Sequence, residues 1–293
     1  MLSGRAGAER IAGAPISWGV CEVPGWGHQL GVDTVLGQMR QLGLTATEFG
    51  PAGFLPAEPH RRAAVLAAEG LRPVGGFVPL VLHDPDVDPD PALHQVLEQL
   101  VESEASTLVL AAATGDAGYD GRPPLDAAGW RHLLAELDRV AALAATHGVQ
   151  AVLHPHVGTM VADGGDVARV LDGATIDLCL DTGHLVVAGA DPAELARTAA
   201  ARVAHVHLKD VDGELSARVR LGDLGYTDAV RAGLYRPLGT GVAQVADVVG
   251  ALEARGYAGW YVLEQDVMLA GPDGATRAQA DVRASLAYLV GLS

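Results

Sequence analysis

The chain has little cysteine. Only Cys21 and Cys179 occur among 293 residues, too few for a disulfide framework and in no C-x-x-C spacing that would hold zinc or exchange disulfides. Both are expected as small buried hydrophobes. Long apolar runs are also missing, because every one is broken by charge or glycine well short of the roughly 20 residues that cross a bilayer. The opening MLSGRAGAERIAGAP carries charges and lacks the continuous apolar centre of a secretory leader, so a cytoplasmic setting without membrane association is expected. Basic side chains are outnumbered 20 to 36 by acidic ones, for a formal net charge of −16. Such a surface repels polyanions and no local basic patch offsets it, which excludes nucleic acid as an expected partner. What is present is an apolar fraction of 49% beside 19% charged residues, the composition of an ordinary globular protein with a packed core. Residues 1–293 are long enough for one large domain; a homo-oligomer is left open.

Short β-like runs alternate with longer segments of helical periodicity, the pattern of successive βαβ units. Strands are expected at Ile11 to Trp18, Ala46 to Phe49, Pro73 to Pro79, Thr107 to Ala113, Gln150 to His154, Ile176 to Asp181, Val203 to Leu208 and Trp260 to Glu264. The clearest helix is WRHLLAELDRVAALAATHG, from Trp130 to its glycine stop at Gly148. Others are expected to start near Asp33, His60, Asp90, Asp191, Val242 and Gly274. An open doubly wound sheet usually places G-x-G-x-x-G after its first strand. Here SWGVCEVPGWG lacks that spacing, so the fold class expected is α/β, a single-domain (β/α)8 TIM barrel. Two irregular stretches, Pro79 to Asp90 and Val211 to Gly241, are candidate active-site loops.

In such a barrel the working side chains project from the C-terminal ends of the strands. The last four expected strands finish as AVLHPH, DLCLDTGH, HVHLKD and YVLEQD, and five of the eleven histidines fall between His154 and His207. Each strand thus delivers a potential ligand to the same end: His154, Asp181, His207 and Glu264. Two imidazoles and two carboxylates suit Mn2+, Co2+, Fe2+ or Zn2+ better than Ca2+. Mn2+ or Co2+ is expected first, with Mg2+ also open. An ion so held can polarise a ketone and stabilise the enediolate formed when the neighbouring proton leaves, which points to a small polyhydroxylated carbonyl substrate.

Other polar residues gather near the same face. His184 can hydrogen-bond a substrate hydroxyl or act as a general acid, or cap a loop. Lys209 can neutralise a developing oxyanion, or pair with Asp210 or another carboxylate. His205 lies one step deeper than His207 and is expected to support it. His156 follows His154 by two and is its rival as ligand; otherwise it meets substrate. Glu48 and Glu22, near the ends of the first two strands, are candidates for a base or for sugar binding, against surface ion pairs as the plainer alternative. Trp18 and Trp26 could wall a ring face or belong to the core.

The segments APISWG, HPHVGT, DTGHL, HVHLKDV, LGYTDAVRAGLY, PLGTG and GYAGWYVLEQD, from about Ala14 to Asp266, resemble the xylose-isomerase-like sugar phosphate isomerase/epimerase superfamily, and within it the myo-inosose-2 dehydratases. That resemblance implies a (β/α)8 barrel with one divalent metal, held in the epimerases by glutamate, aspartate, histidine and glutamate; the corresponding residues here are His154, Asp181, His207 and Glu264. Ketose 3-epimerases use two metal-bound glutamates to remove and return a proton on opposite faces, and this chain keeps one. The resemblance therefore implies a lyase that dehydrates a 2-keto-myo-inositol-like keto-cyclitol, giving a trihydroxycyclohexane-dione. Glu264 or Glu48 would be the base, with His184 or Lys209 assisting the leaving hydroxyl. A metal-dependent isomerase or epimerase of a ketose, keto-sugar or inosose is the alternative, and a non-catalytic sugar-binding barrel the alternative of another class.

Overall fold

Eight parallel staves close into a barrel in the computed structural model, which describes residues 9–292. In chain order the strands are β1 (Ile11–Gly13), β2 (Ala46–Thr47), β3 (Arg72–Pro73), β4 (Gly75–Leu80), β5 (Thr107–Ala112), β6 (Gln150–Leu153), β7 (Asp177–Asp181), β8 (Val203–Leu208), β9 (Asp210–Val211), β10 (Tyr235–Arg236) and β11 (Tyr261–Leu263). Nine of them form one sheet in the order β3-β2-β1-β11-β8-β7-β6-β5-β4. β3 pairs with β2 and β4 with β5, yet both belong to one stretch of chain interrupted only at Val74. That split stave closes the ring. β9 and β10 form a separate antiparallel ribbon.

The expected first strand to Trp18 is a correction. Pairing stops at Gly13, and Pro15–Trp18 turns into a 3-10 helix that ends at Gly19 with φ 77. Pro15 has no N–H to continue a ladder, and a left-handed residue ends the turn at little cost when it is glycine. The Trp130 helix begins earlier, at Ala127, because the Asp126 side chain accepts from the Ala128 and Gly129 amides. Between Val211 and Gly241 the expected irregular stretch contains helices Gly213–Arg220 and Tyr226–Arg231 and the strand β10. Helices Gly164–Gly173 and Thr182–Val187 were also not expected from the periodicity, the second being too short for 3.6-residue spacing to show.

Alternation along the staves separates two environments, since successive side chains point to opposite faces. Leu178 and Leu180 pack outward against the helices in the large apolar core. Val109, Val152 and Cys179 form a small cluster within the barrel, packed against Phe77 and Ala204, and Ala12, Ala14, Ala46, Val74 and Val262 form another. Two residues further along the same faces come His154, Asp181 and Glu264. The registers Cys179 with His205 and Asp181 with His207 put β7 and β8 in step, and Val262 pairs with His207. The inward polar residues therefore form one layer on top of an apolar plug.

Candidate metal centre and cavity

His154, Asp181, His207 and Glu264 each offer a ligand atom, and those atoms lie within 4.8 Å of one another. His154, Asp181 and His207 are buried, the last two wholly so, and Glu264 keeps part of its side chain exposed. Asp181 divides its oxygens between two jobs. Oδ1 accepts the His184 amide at 2.8 Å, capping helix Thr182–Val187, while Oδ2 lies 3.2 Å from His154 Nε2 and accepts from Lys209 Nζ at 2.7 Å. His207 Nε2 lies 3.0 Å from Glu48 Oε1, and His205 Nε2 meets that same oxygen at 2.8 Å. His207 Nδ1 then faces Glu264 Oε2 at 3.0 Å and Asp181 Oδ2 at 3.7 Å without hydrogen-bond geometry.

A buried imidazole nitrogen aimed at two carboxylates requires a proton or a cation between them. His154 Nδ1 and His184 Nε2 are also buried without a hydrogen-bond partner. With nitrogen and oxygen donors converging in one layer, these residues fit a divalent metal, and Glu48 would orient His207 by fixing its other nitrogen. The ammonium of Lys209 already bridges Asp181 and Glu264, so an ion bound there competes with it for the same oxygens.

Burial governs the titrating groups, with charge partners deciding the outcome. It would raise the Asp181 carboxyl, but Lys209 and His184 hold it well below the usual range. It would raise Glu264 as well, yet His207 and Lys209 bring that group down to about 2. Glu48 is likewise lowered against its burial, by the charge on His207 and the hydrogen bond from His205. Burial pulls His154 and His184 down, leaving neutral imidazoles suited to ligation. Asp266 moves the other way: burial, aided by Glu264 and Asp181 against the pull of Lys209, raises it to about 7.

The layer opens into a cavity of about 440 Å³. Glu48, His154, His156, His184, His207, Lys209, Glu264 and Asp266 line its floor. His156 is kept apart from the ligand cluster: its ring lies 3.7 Å from that of His184 and 4.3 Å from that of Tyr119, and Nδ1 is 2.7 Å from the Val157 carbonyl. The geometry thus favours His154 over His156 as ligand and leaves His156 on the wall. Glu22 lies at the mouth, where Tyr119 donates to it at 2.6 Å; it forms no surface ion pair among the described residues. Lys209 pairs with Asp181 and Glu264, and Asp266 lies 3.6 Å from it, whereas Asp210 turns away to accept four backbone amides, those of Val211, Gly239, Gly241 and Ala243.

Trp18 is a correction. It is fully buried, donates from Nε1 to Gln38, and lies outside the cavity lining, because the 3-10 turn directs it into the core. Trp26 is the tryptophan that reaches the wall. Cys179 is a buried core thiol as expected, but Cys21 is only half-buried and lines the mouth. Of the two expected active-site loops, the Pro79 stretch contributes little beyond Pro79 itself.

Sequence reasoning missed Asp266, Tyr119, Tyr226 and Tyr235. Tyr226 donates to Asp266 at 3.1 Å, Tyr226 and Tyr235 hydroxyls lie 3.2 Å apart, and the Tyr235 hydroxyl is 3.2 Å from His184 Nδ1. The signal for Asp266 was its two-residue offset from Glu264, the same offset that drew notice to Lys209. The tyrosines lie outside the barrel strands, Tyr226 at a short helix and Tyr235 in β10, and carried no such periodicity.

A family model described as xylose isomerase-like TIM barrel matches residues 36–289. The rhizopine catabolism protein MocC of Rhizobium meliloti is 32% identical over 88% of this chain and 81% of its own length. An inosose dehydratase of Geobacillus thermodenitrificans is 29% identical over 88% of this chain and 91% of its own. Among solved structures, the IolI protein with a bound zinc atom superposes with a TM-score of 0.68 at 13% identity, covering 97% of each chain; at that identity the likeness speaks for the fold.

Proposed function

Because the chain belongs to the xylose isomerase-like TIM barrel family, we propose that its cavity is the active site of a metal-dependent hydro-lyase that dehydrates a keto-cyclitol of the 2-keto-myo-inositol kind. The observation that carries this reading is the polar layer itself: a mixed imidazole and carboxylate cluster with one glutamate at β11 and a histidine, His154, at β6. The similarity to inosose dehydratases along nearly the whole chain supports it. No helix among the described residues is long and apolar enough to cross a membrane.

His154, Asp181, His207 and Glu264 would hold one divalent ion, with Mn2+ or Co2+ the best suited to two nitrogens and two oxygens. When bound, the ion supplies Lewis-acid polarisation of the ketone, which acidifies the adjacent C–H. Glu48 is the base. Its Oε1 is engaged by His205 and His207, and none of these bonds uses Oε2. A carboxylate held below its ordinary range is a weak base, so it removes the proton only where the ketone is polarised, which restricts the chemistry to correctly placed substrate. The departing β-hydroxyl takes its proton from the pair of His184 and Asp266, whose Nε2 and carboxyl stand 3.9 Å apart and which Tyr226 and Tyr235 tie together. Ketone minus one α-proton and one β-hydroxide equals loss of one water. Lys209 balances the negative charge of Asp181, Glu264 and Asp266 beneath the substrate.

Epimerisation needs a second carboxylate on the opposite face to return the proton. The β6 ligand position, where the epimerases carry a glutamate, is His154 here, and dehydration is the reading that does not need one. The test is paired: His207→Ala and Glu264→Gln should each lose bound metal and turnover while unfolding stays cooperative. Full activity in either variant would remove the proposed centre.

A further inference from the structure

The cavity is larger and more apolar than a bare ring of hydroxyls requires. Away from the polar floor it is walled by Phe49, Leu55, Phe77, Val78, Val96 and Leu100. A polyhydroxylated ring gains from an apolar contact only at its C–H face, and hydroxyls placed against the rest of such a wall would lose water without replacement. At the end of this wall stands Arg62, on helix Pro59–Ala68. Among the described residues, Arg62 and Lys209 are the only lysine or arginine residues lining the cavity, and Lys209 is committed to Asp181 and Glu264.

Arg62 has no carboxylate partner among the described ion pairs. Its Nε donates to the Pro56 carbonyl at 3.2 Å, and its guanidinium carbon lies 4.7 Å from the centre of the Phe49 ring. The first contact fixes the fork and the second holds its plane on the aromatic face, which leaves the terminal nitrogens as free donors. Glu48, Phe49 and Arg62 all line the same cavity. Burial pulls the Arg62 group below its ordinary value, an unfavourable charge with no protein anion to offset it in a chain whose net charge is −16.

We propose that Arg62 and the apolar wall form a second subsite, which takes an anionic arm, carboxylate or phosphate, joined to the reacting hydroxyketone ring by carbon. The substrate class this assigns is a cyclic hydroxyketone with an acidic substituent. The ring is seated on the polar floor, the carbon spacer against Phe49 and its neighbours, and the anion on the fork of Arg62. The inference rests on the keto-cyclitol reading for the ring and extends it to what the ring bears.

The test is equilibrium binding to the Mn2+-loaded protein by calorimetry, with three probes: a hydroxylated cyclohexanone carboxylate, its O-phosphorylated counterpart and the matching carboxamide. The wild type should bind one or both acids more tightly than the amide by on the order of tenfold, the effect of a charge-assisted bidentate contact that is partly exposed. The acid that gains more identifies the arm. Arg62→Gln should erase the ratio and Arg62→Lys restore part of it. A purely structural Arg62 would weaken acid and amide alike and leave the ratio unchanged in the glutamine variant; that result, or equal affinities in the wild type, overturns the proposal. Failure of the ring reading would show separately, as no metal-dependent dehydration of 2-keto-myo-inositol or of either acid.

Discussion

Glu48→Gln isolates the proposed base from the metal ligands. The substitution keeps the side-chain volume and an Oε1 acceptor for His205 and His207, bound at 2.8 and 3.0 Å, but removes the charge. A hydrogen bond to a charged acceptor contributes about 1.5–3 kcal/mol and a neutral one about 0.5–1.5 kcal/mol, so two such bonds lose roughly 2 kcal/mol together, before relief of the buried charge offsets part of it. The variant should therefore unfold cooperatively a few degrees lower than the parent and keep its metal, because the four ligands are untouched. Turnover should fall much further: losing a positioned base lowers the rate by about 10²–10⁴-fold. The assay is ultraviolet absorbance of the conjugated dione product, with metal content read in parallel and exchange of the substrate α-proton followed in deuterated water. Exchange and turnover should fall together. A variant that holds its metal and eliminates water at a rate within about tenfold of the parent would refute the assignment of Glu48.

Other outcomes follow from named contacts. Lys209→Met should bind the divalent ion at least about tenfold more tightly, since a cation is removed from beside Asp181 and Glu264, yet turn over more slowly; titration with Mn2+ and steady-state kinetics check both halves. Asp210→Ala removes the acceptor of four backbone amides, that of Val211 and three between residues 239 and 243, and should cost about 3–5 kcal/mol in urea unfolding. Gly183→Ala places a methyl group against Lys209 and Tyr235, so kcat should drop several-fold with a smaller change in thermal midpoint; an unchanged kcat would show that those two side chains need not hold their places.

Much of the barrel was legible because short apolar runs, buried on both faces as in Thr107–Ala112, alternate with period-3.6 segments along most of the chain, and because a barrel concentrates function at one end of its strands. Asp181 and Glu264 each stand two residues beyond an inward apolar residue, Cys179 and Val262, and His207 stands two beyond His205, so position alone offered the three as a group. Trp18 was misplaced because APISW has a strand-like composition, and only the missing amide of Pro15 and the left-handed Gly19 reveal the turn. His154 and His156 share one face by parity, so spacing could not separate them; the contacts of His156 with Tyr119 and His184 do. Tyr119 and Tyr226 reach the cavity, and Tyr235 backs it through His184, from segments between the barrel strands whose paths are set by tertiary contacts such as Thr227 with Asp120. No local periodicity encodes those.

The most direct measurement is product analysis after incubating the Mn2+- or Co2+-loaded protein with 2-keto-myo-inositol. The account predicts metal-dependent formation of a conjugated dione one water lighter than the substrate, abolished by chelation. Recovery of unchanged substrate, or of an epimer of the same mass, would contradict it.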